Sequence, residues 1–189
     1  MVGIVTFSRE NSKRFPGKNS YNTNGKMLIE YTLNIMQKLR HDTNYVNCFC
    51  FSDNEEILKK CNDYDVCGVK EPKELTEISN IKLNKWADML IQLDNYVLLQ
   101  PTNPIRDYDL IKKWIDFCFY GNIQSAFSVY KKGNKFIENG NFYYYTKDFM
   151  YHNNHVKSND SILLQDKYFC DIDYKEDLKK CEDFLKNKK

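Results

Sequence analysis

The sequence lacks the features that would place the protein at a membrane or on a nucleic acid. No continuous apolar run approaches the roughly 18 to 20 residues that a membrane-spanning helix needs. The 28 basic and 26 acidic residues leave a net charge of only +2, which offers no surplus to a nucleic-acid backbone or an anionic membrane. The N-terminus also lacks the basic and apolar regions of a signal peptide. We therefore expect a soluble cytoplasmic protein with no nucleic acid or membrane among its partners.

Motifs typical of zinc and redox sites are absent as well. Seven cysteines are present, without a CxxC pair or a zinc-ligand spacing: Cys48, Cys50, Cys61, Cys67, Cys118, Cys170 and Cys181. We expect all seven to be reduced thiols in the core. Cys48 and Cys50 alternate in an apolar segment and should share one face of a strand. His152 and His155 have no third zinc-type ligand nearby, so we expect a structural or surface role for both.

What the chain does contain is enough apolar material for one substantial core. Of its 189 residues, 42% are hydrophobic, and 14 Tyr and 12 Phe are among them. Aromatic side chains of this number indicate a folded globule, and the length suits a single domain. We expect one domain over residues 1–189, without an internal repeat or a linker.

Predicted strands and helices alternate along the chain. The strands are expected at residues 2–7, 45–51, 96–99, 125–130 and 142–145, and three of the helices at 26–39, 80–93 and 174–185. Asp53 with Glu56, at capping-box spacing, and Asp107 predict two further helix starts. Such alternation predicts an α/β fold, a doubly wound, mostly parallel sheet with helices on both faces. Ligands of these folds bind beyond the carboxyl ends of the strands.

Basic residues cluster directly after the first predicted strand. Residues 8–19, SRENSKRFPGKN, include four basic side chains and one acidic one. Concentrated positive charge at this place suits the phosphates of a nucleoside triphosphate, whose oxygens accept several charge-assisted hydrogen bonds. A solvated basic loop is the alternative. The segment is not a Walker A loop, because GxxxxGK[ST] is absent.

A rigid polar loop follows the strand at residues 96–99. Its sequence, QPTNP, combines an amide, a hydroxyl and two prolines that stiffen the turn. Such a loop suits the positioning of a substrate. The alternative is an ordinary connection to the helix that Asp107 caps.

Two carboxylates, Asp171 and Asp173, stand at alternate positions near the C-terminus. In an extended segment both point the same way, and such a pair can share a hard cation such as Mg²⁺ together with substrate phosphates. Alternatively, Asp173 and Glu176 form a capping box for the last helix. No such alternative exists for Asp171.

Together these segments resemble the acylneuraminate cytidylyltransferase family, which is related to CMP-Kdo synthetase. The matching residues lie, in chain order, at positions 9, 12–14, 16, 18–19, 52–53, 100–106, 139–140, 142–143 and 171–173. Their order and spacing cover nearly the whole chain. Members of this family use CTP and Mg²⁺ to make a CMP-sugar and pyrophosphate. The resemblance implies their Rossmann-like nucleotide-diphospho-sugar transferase fold and a Mg²⁺-dependent nucleotidyltransferase of the CMP-sugar synthetase type.

The resemblance also implies a role for individual residues. The nucleotide would be bound by Arg9, Ser12, Lys13, Arg14, Lys18 and Asn19. A small sugar-acid-like acceptor, a nonulosonic acid or a Kdo-like sugar, would contact Gln100, Thr102, Arg106 and Tyr143. Asp171 and Asp173 would hold Mg²⁺ and would form the catalytic group with Arg9 and Lys18. An acceptor hydroxyl would attack the α-phosphorus in line while pyrophosphate leaves.

Four departures from the family pattern leave alternatives open. Glu10 and Asn11 replace two glycines, Glu71 replaces an arginine before a proline, and Asn103 replaces a serine. Residues 130–138 replace a longer segment that helps the family form its dimer and close over the sugar, so a homodimer and a sialic acid acceptor are in doubt. A catalytically silent nucleotide-binding homologue, or a nucleotidyltransferase that uses another nucleotide or acceptor, is the alternative function.

Overall fold

The computed structural model describes residues 1–75 and 79–186. The strands are β1 Val2–Ser8, β2 Asn22–Thr23, β3 Lys26–Met27, β4 Val46–Ser52, β5 Cys67–Lys70, β6 Asn95–Leu98, β7 Ser125–Lys132, β8 Lys135–Thr146 and β9 Ile162–Asp166. The α-helices are α1 Leu28–Asp42, α2 Glu55–Asp63, α3 Asn80–Ile91, α4 Tyr108–Tyr120, α5 Lys147–Asn153 and α6 Lys175–Lys186, and a short 3₁₀ turn covers Lys73–Leu75. Within the described ranges, no helix combines the length and the apolar character that membrane crossing requires.

Seven of these strands form one sheet in the order β5-β4-β1-β6-β8-β7-β9. β1 pairs in parallel with β4 and β6, β4 pairs in parallel with β5, and β7 with β9. Only β8 among them runs antiparallel, to both β6 and β7. The predicted α/β fold with a mostly parallel sheet is therefore confirmed. Since β1 lies inside the parallel part, the loop that follows it is central at the carboxyl edge.

Apolar clusters cover both faces of the sheet. On one face, Leu33 of α1, Ile57 of α2 and Trp114 of α4 pack against the strands. On the other face, Ala87 of α3 and Met150 of α5 do the same. The two cysteines predicted to share a strand face both lie in the first cluster and are fully or almost fully buried. Helices on both faces leave the carboxyl edge of the sheet open for a ligand.

The segment predicted to be shortened, residues 130–138, is part of a β-hairpin. β7 and β8 pair down to Lys132 and Lys135, which leaves a two-residue turn. The turn begins at Gly133, whose φ of +60° is a conformation that glycine adopts at low cost. As a result β8 is much longer than the strand predicted at residues 142–145.

The predicted helix caps are right in one case and wrong in another. Asp107 caps α4, as expected, by accepting a hydrogen bond from a backbone N–H of the first turn. At α2 the cap is Asn54, whose side chain accepts from two backbone N–H groups. The prediction of Asp53 as that cap is wrong, because its carboxylate accepts from the backbone N–H of Glu10 at 2.8 Å. Asp53 thus supports the loop after β1.

The prediction that all seven cysteines are reduced is also wrong. Cys170 and Cys181, 11 residues apart, form a disulfide that ties the segment before α6 to α6 itself. Their spacing matches no motif. The two sulfurs come together because α6 lies against the segment that precedes it. The other five are free, and of these Cys67 alone is exposed.

Candidate active site

The three segments singled out in the sequence meet beyond the carboxyl ends of β1 and β6. A cleft of about 340 Å³ opens there, lined by Phe7, Arg14, Lys18, Leu98, Gln100, Pro101, Thr102, Asp171 and Asp173. The loop after β1, the loop after β6 and the segment before α6 each contribute to it. Some of the predicted nucleotide and acceptor residues, and both predicted metal ligands, therefore line one cleft.

Lys18 supplies a buried positive charge at this cleft. It is only 7% exposed, and its Nζ donates to the carbonyl oxygen of Ile172 at 2.8 Å and lies 3.9 Å from Oδ1 of Asp173. Burial lowers the pKa of Lys18, while the negative charges of Asp173 and Asp171 act in the opposite direction. The amine is therefore held in place by the same segment that contributes the two carboxylates.

Asp171 and Asp173 flank a buried residue. Ile172 is fully buried, and its N–H donates to the carbonyl oxygen of Thr102 at 2.9 Å, which fixes the segment against the loop after β6. Because side chains alternate along an extended segment, both carboxylates lie on the cleft side. Asp171 reaches solvent, yet burial raises its pKa, and a hydrogen bond with the Thr102 side chain opposes this rise.

The capping box predicted for Asp173 and Glu176 does not form. Instead, Oδ2 of Asp177 accepts from the N–H groups of Asp173 and Tyr174, at 3.2 and 2.9 Å. The carboxylate of Asp173 pairs with NH1 of Arg14 at 2.8 Å. Both predicted carboxylates therefore belong to the cleft rather than to the helix cap.

Arg9 lies beside the cleft and is not among the residues that line it. Its Nε donates to Oε1 of Glu71 at 2.8 Å, and the side chain of Glu71 is completely buried. Burial raises the pKa of Glu71, and the Arg9 charge lowers it. Glu71, where the sequence resemblance implies an arginine, is thus a direct partner of the predicted phosphate ligand.

Glu10 does not add a negative charge to the cleft. Its carboxylate accepts from the side chains of Asn54 and Ser20, which lie away from the cleft-lining residues. Together with the bond between its N–H and Asp53, these contacts fold it back against α2 and its own loop. The replacement of glycine by Glu10 is therefore accommodated within the loop.

The remaining residues of the loop after β1 shape it or face solvent. Asn19 is 6% exposed, and its side chain donates to the carbonyl oxygen of Arg9 at 3.1 Å. Ser12 Oγ accepts from the N–H of Phe15 at 3.4 Å. Lys13 is exposed. None of Ser12, Lys13 and Asn19 lines the cleft.

Two of the four predicted acceptor residues, Gln100 and Thr102, line the cleft, whereas Arg106 is buried behind them. Arg106 donates to the carbonyl oxygens of Gln100 and Asn141 and to the hydroxyl of Thr32. Burial lowers its pKa to about 9. Arg106 therefore supports the loop after β6 from the protein interior.

Tyr143, the fourth predicted acceptor residue, is also buried. It is 6% exposed, stacks against Phe127, and donates its hydroxyl hydrogen to Glu138. Burial raises its pKa to about 12. It lies in the apolar cluster under the cleft and does not line it.

A buried polar network behind the cleft was not predicted. Asp166 is 3% exposed and accepts from the side-chain amides of Asn139 and Asn141, at 2.8 and 2.5 Å. Between the two asparagines stands Gly140, with φ +68°, where a Cβ would lie 2.6 Å from Oε1 of Gln100. The Asn-Gly pair was the one sequence signal for this network, whereas Asp166 stands in no motif. The network ties β8 to the end of β9, and the bond from Arg106 to the carbonyl oxygen of Asn141 ties β8 to the loop after β6.

The phenyl ring of Phe7, at the end of β1, was likewise missed as a cleft residue. It lines the cleft together with Leu98 and stacks on Phe51 with ring centroids 5.2 Å apart. The sequence predicted only that Phe7 belongs to the first strand. Phe7 is the next-to-last residue of β1, and this position leaves part of its ring exposed at the cleft.

No protein-family model matches the chain, and no curated protein matches its sequence. Solved structures do match. A CMP:2-keto-3-deoxy-manno-octonic acid synthetase, solved with CTP, superposes with a TM-score of 0.79 at 11% identity, over 100% of this chain and 99% of the other. The fold is that of the nucleotide-diphospho-sugar transferases.

Other proteins of known structure share this nucleotidyltransferase fold. A cytidylyltransferase from Leptospira borgpetersenii matches with a TM-score of 0.71 at 17% identity, over 98% of this chain and 87% of the other. The CTP:phosphocholine cytidylyltransferase of Streptococcus pneumoniae matches with a TM-score of 0.63 at 14% identity, over 97% and 99%. Among these proteins, one is named for a sugar acid and another for phosphocholine, so the fold itself does not fix the acceptor.

Proposed function

We propose that the protein is a cytidylyltransferase that transfers CMP from CTP to a hydroxyl of a sugar-acid-like acceptor and releases pyrophosphate. The observation that supports this most is the meeting of Lys18, Asp171 and Asp173 with Gln100 in one cleft. Similar structures include cytidylyltransferases, one of them solved with CTP, which favours a cytidine nucleotide.

The cations around the cleft suit phosphoryl chemistry. Lys18 is buried and held in place, Arg14 lines the same cleft, and Arg9 lies beside it. During in-line attack on the α-phosphorus, negative charge builds up on the leaving pyrophosphate, and positive groups already in position stabilise it without reorganising. Asp173 pairs with Arg14 and lies near Lys18. Phosphates would compete with this carboxylate for both cations.

Asp171 and Asp173 fit a Mg²⁺ ion. Both are hard oxygen donors on the same side of an extended segment, the type of ligand that Mg²⁺ prefers. In the described part of the chain, no group of three or more metal-binding side chains comes together. One or two carboxylates with substrate phosphates and waters are the usual Mg²⁺ environment. The ion would neutralise phosphate charge when bound.

Gln100 and Thr102 are the residues that we assign to the acceptor. They line the cleft next to Phe7 and Leu98, so the cleft combines polar groups with an apolar floor. This combination is common where a small ligand must be oriented. Arg106 and Tyr143 are left with a supporting role. A homodimer and a cytoplasmic location stay predictions of the sequence.

Pyrophosphate release tests the proposal directly. The protein is incubated with Mg²⁺, each of CTP, UTP, ATP and GTP, and a set of nonulosonic acids, Kdo-like sugars and phosphorylated small alcohols. We expect release with CTP and one class of hydroxylated acceptor. Release with another nucleotide would support the alternative nucleotidyltransferase.

The same samples distinguish a silent homologue. A ligand that binds only the folded state raises the melting temperature. CTP that raises this temperature without turnover for any acceptor would contradict catalysis and favour a nucleotide-binding protein. Neither turnover nor stabilisation by any of the four nucleotides would contradict both.

A further inference from the structure

Glu71 is a buried acid that the proposed reaction does not yet use. It follows β5 directly, is 1% exposed, and its N–H donates to the carbonyl oxygen of Ser52 at 2.8 Å. Its Oε1 accepts from Nε of Arg9 at 2.8 Å. Within the described ranges, its Oε2 is buried without a hydrogen-bond partner. The carboxylate therefore faces Arg9 as its main charged partner.

The order of the strands places this pair on one side of the loop after β1. The cleft with Gln100 and Asp171 lies on the β6 side of β1, whereas Glu71 follows β5, two strands away on the other side. Arg9, at the end of β1, stands between the two. A nucleotide that lies along this loop would have Lys18 on the cleft side and Arg9 on the β4–β5 side.

An ion pair with one fully buried partner is expected to constrain geometry more than it stabilises the fold. Removing the charges from water costs much of what their attraction returns, and desolvation does raise the pKa of Glu71. A guanidinium is planar, so a bond at Nε fixes the orientation of the whole group. The bond to Glu71 therefore lowers the conformational entropy that the Arg9 side chain would lose on binding an anion.

We propose that Glu71 is a positioning residue, which holds the guanidinium of Arg9 in one orientation toward the nucleotide phosphates and offsets its charge while the site is empty. The inference rests on the proposed function for the identity of the ligand. It has two separable parts. The hydrogen bond sets orientation and so affects kcat, and the negative charge weakens anion binding and so affects the dissociation constant.

Two substitutions separate these parts. Glu71→Gln keeps an acceptor for Nε of Arg9 and removes the charge, whereas Glu71→Ala removes both. Glu56→Gln is the matched control, because Glu56 is an exposed acid on α2 and its loss changes the total charge equally. Circular dichroism and melting curves show which variants are folded.

Binding of inorganic pyrophosphate, measured by calorimetry at low salt, tests the charge. We expect Glu71→Gln to bind pyrophosphate about 3- to 10-fold more tightly than the wild type, because one more net positive charge faces the anion at a partly buried site. Glu56→Gln should stay within about twofold, as expected for a screened surface charge. An unchanged affinity in Glu71→Gln, or no binding of pyrophosphate by the wild type, would overturn the inference.

Turnover of CTP tests the orientation. We expect Glu71→Gln to keep kcat within about threefold and Glu71→Ala to lose about tenfold or more, since a loosely held group stabilises the transition state less. Equal kcat values in the folded Glu71→Ala variant and the wild type would overturn the positioning role. If the wild type shows no turnover and Glu71→Gln still binds pyrophosphate more tightly, the proposed function fails and the charge effect stands.

Discussion

Asp171 and Asp173 show what a short stretch of sequence determines at the scale of single residues. Alternation around Ile172 predicted that both carboxylates share one side, and the burial of Ile172 agrees with this. The partners could not be predicted, because the Arg14 that pairs with Asp173 is far away in the chain. Contacts of this kind depend on the tertiary fold.

Asp171 is expected to set the acid limb of the activity. Burial raises its pKa above the ordinary 3.8, so as the pH falls it takes up a proton earlier than an ordinary aspartate. The protonated form would be a poor ligand for the proposed Mg²⁺ ion and would no longer balance the charge of Lys18. We therefore expect kcat/KM to fall at a pH above 3.8 as Asp171 becomes neutral.

Asp171→Asn tests this assignment. The substitution should lower kcat by about 100-fold or more, a size typical of lost transition-state electrostatics, and should remove the acid limb from the residual activity. Asp160→Asn, at an exposed aspartate, is the control and should behave as the wild type. An unchanged acid limb in Asp171→Asn would show that another group titrates there.

The acceptor residues mark the limit of prediction for single side chains. Gln100, Thr102 and Arg106 lie in one loop, yet the first two line the cleft and Arg106 turns into the core. Loop residues have no regular period, so the direction of a side chain cannot be derived from spacing as it can in a strand. Tyr143 lies on the core side of β8 and likewise does not line the cleft.

At the scale of elements, segments with a strong apolar pattern were predicted and exposed ones were missed. The strands β1, β4 and β6 are mostly buried and appear as apolar runs. The edge strand β5 is largely exposed, and only two of the five residues of β9 are buried, so neither sequence shows a long apolar run. Helix starts were predicted only to within a residue, as Asp53 and Asn54 show, because neighbouring polar side chains can both serve as caps.

The disulfide between Cys170 and Cys181 should stabilise the end of the chain. It closes a loop over a sequence separation of 11 residues, for which chain entropy predicts about 2 to 3 kcal/mol. We expect a dithiol reductant to lower the free energy of unfolding by about this amount, measured by urea denaturation. The segment with Asp171 is inside this loop, so reduction should also lower the rate of the proposed reaction.

Two variants control for other effects of the reductant. Cys181→Ser should already have the lower stability and should not respond to the reductant. Cys67→Ser changes an exposed free cysteine and should respond as the wild type does. A wild-type unfolding midpoint that is the same with and without reductant would contradict a stabilising disulfide.

At the scale of the whole molecule, the alternation of strands and helices predicted the fold class but not the order of the strands. The parallel part around β1 follows from right-handed connections through helices. β8 lies between β6 and β7 and is antiparallel to both. The four apolar residues at 142–145 predict a strand but neither its place in the sheet nor its direction. The cleft could be predicted because ligands of parallel sheets bind at the carboxyl edge, wherever the outer strands lie.

The hairpin of β7 and β8 has a kinetic consequence. All of residues 130–138 except the two-residue turn at Gly133 are paired in strands. This stretch therefore provides no long loop that could close over a bound acceptor. Lid opening limits turnover in many enzymes. We expect the chemical step to limit the turnover rate of this protein. In that case kcat stays constant when sucrose or glycerol raises the viscosity of the solvent. A kcat that falls in proportion to solvent viscosity would show instead that a slow physical step, such as the departure of products, governs the rate.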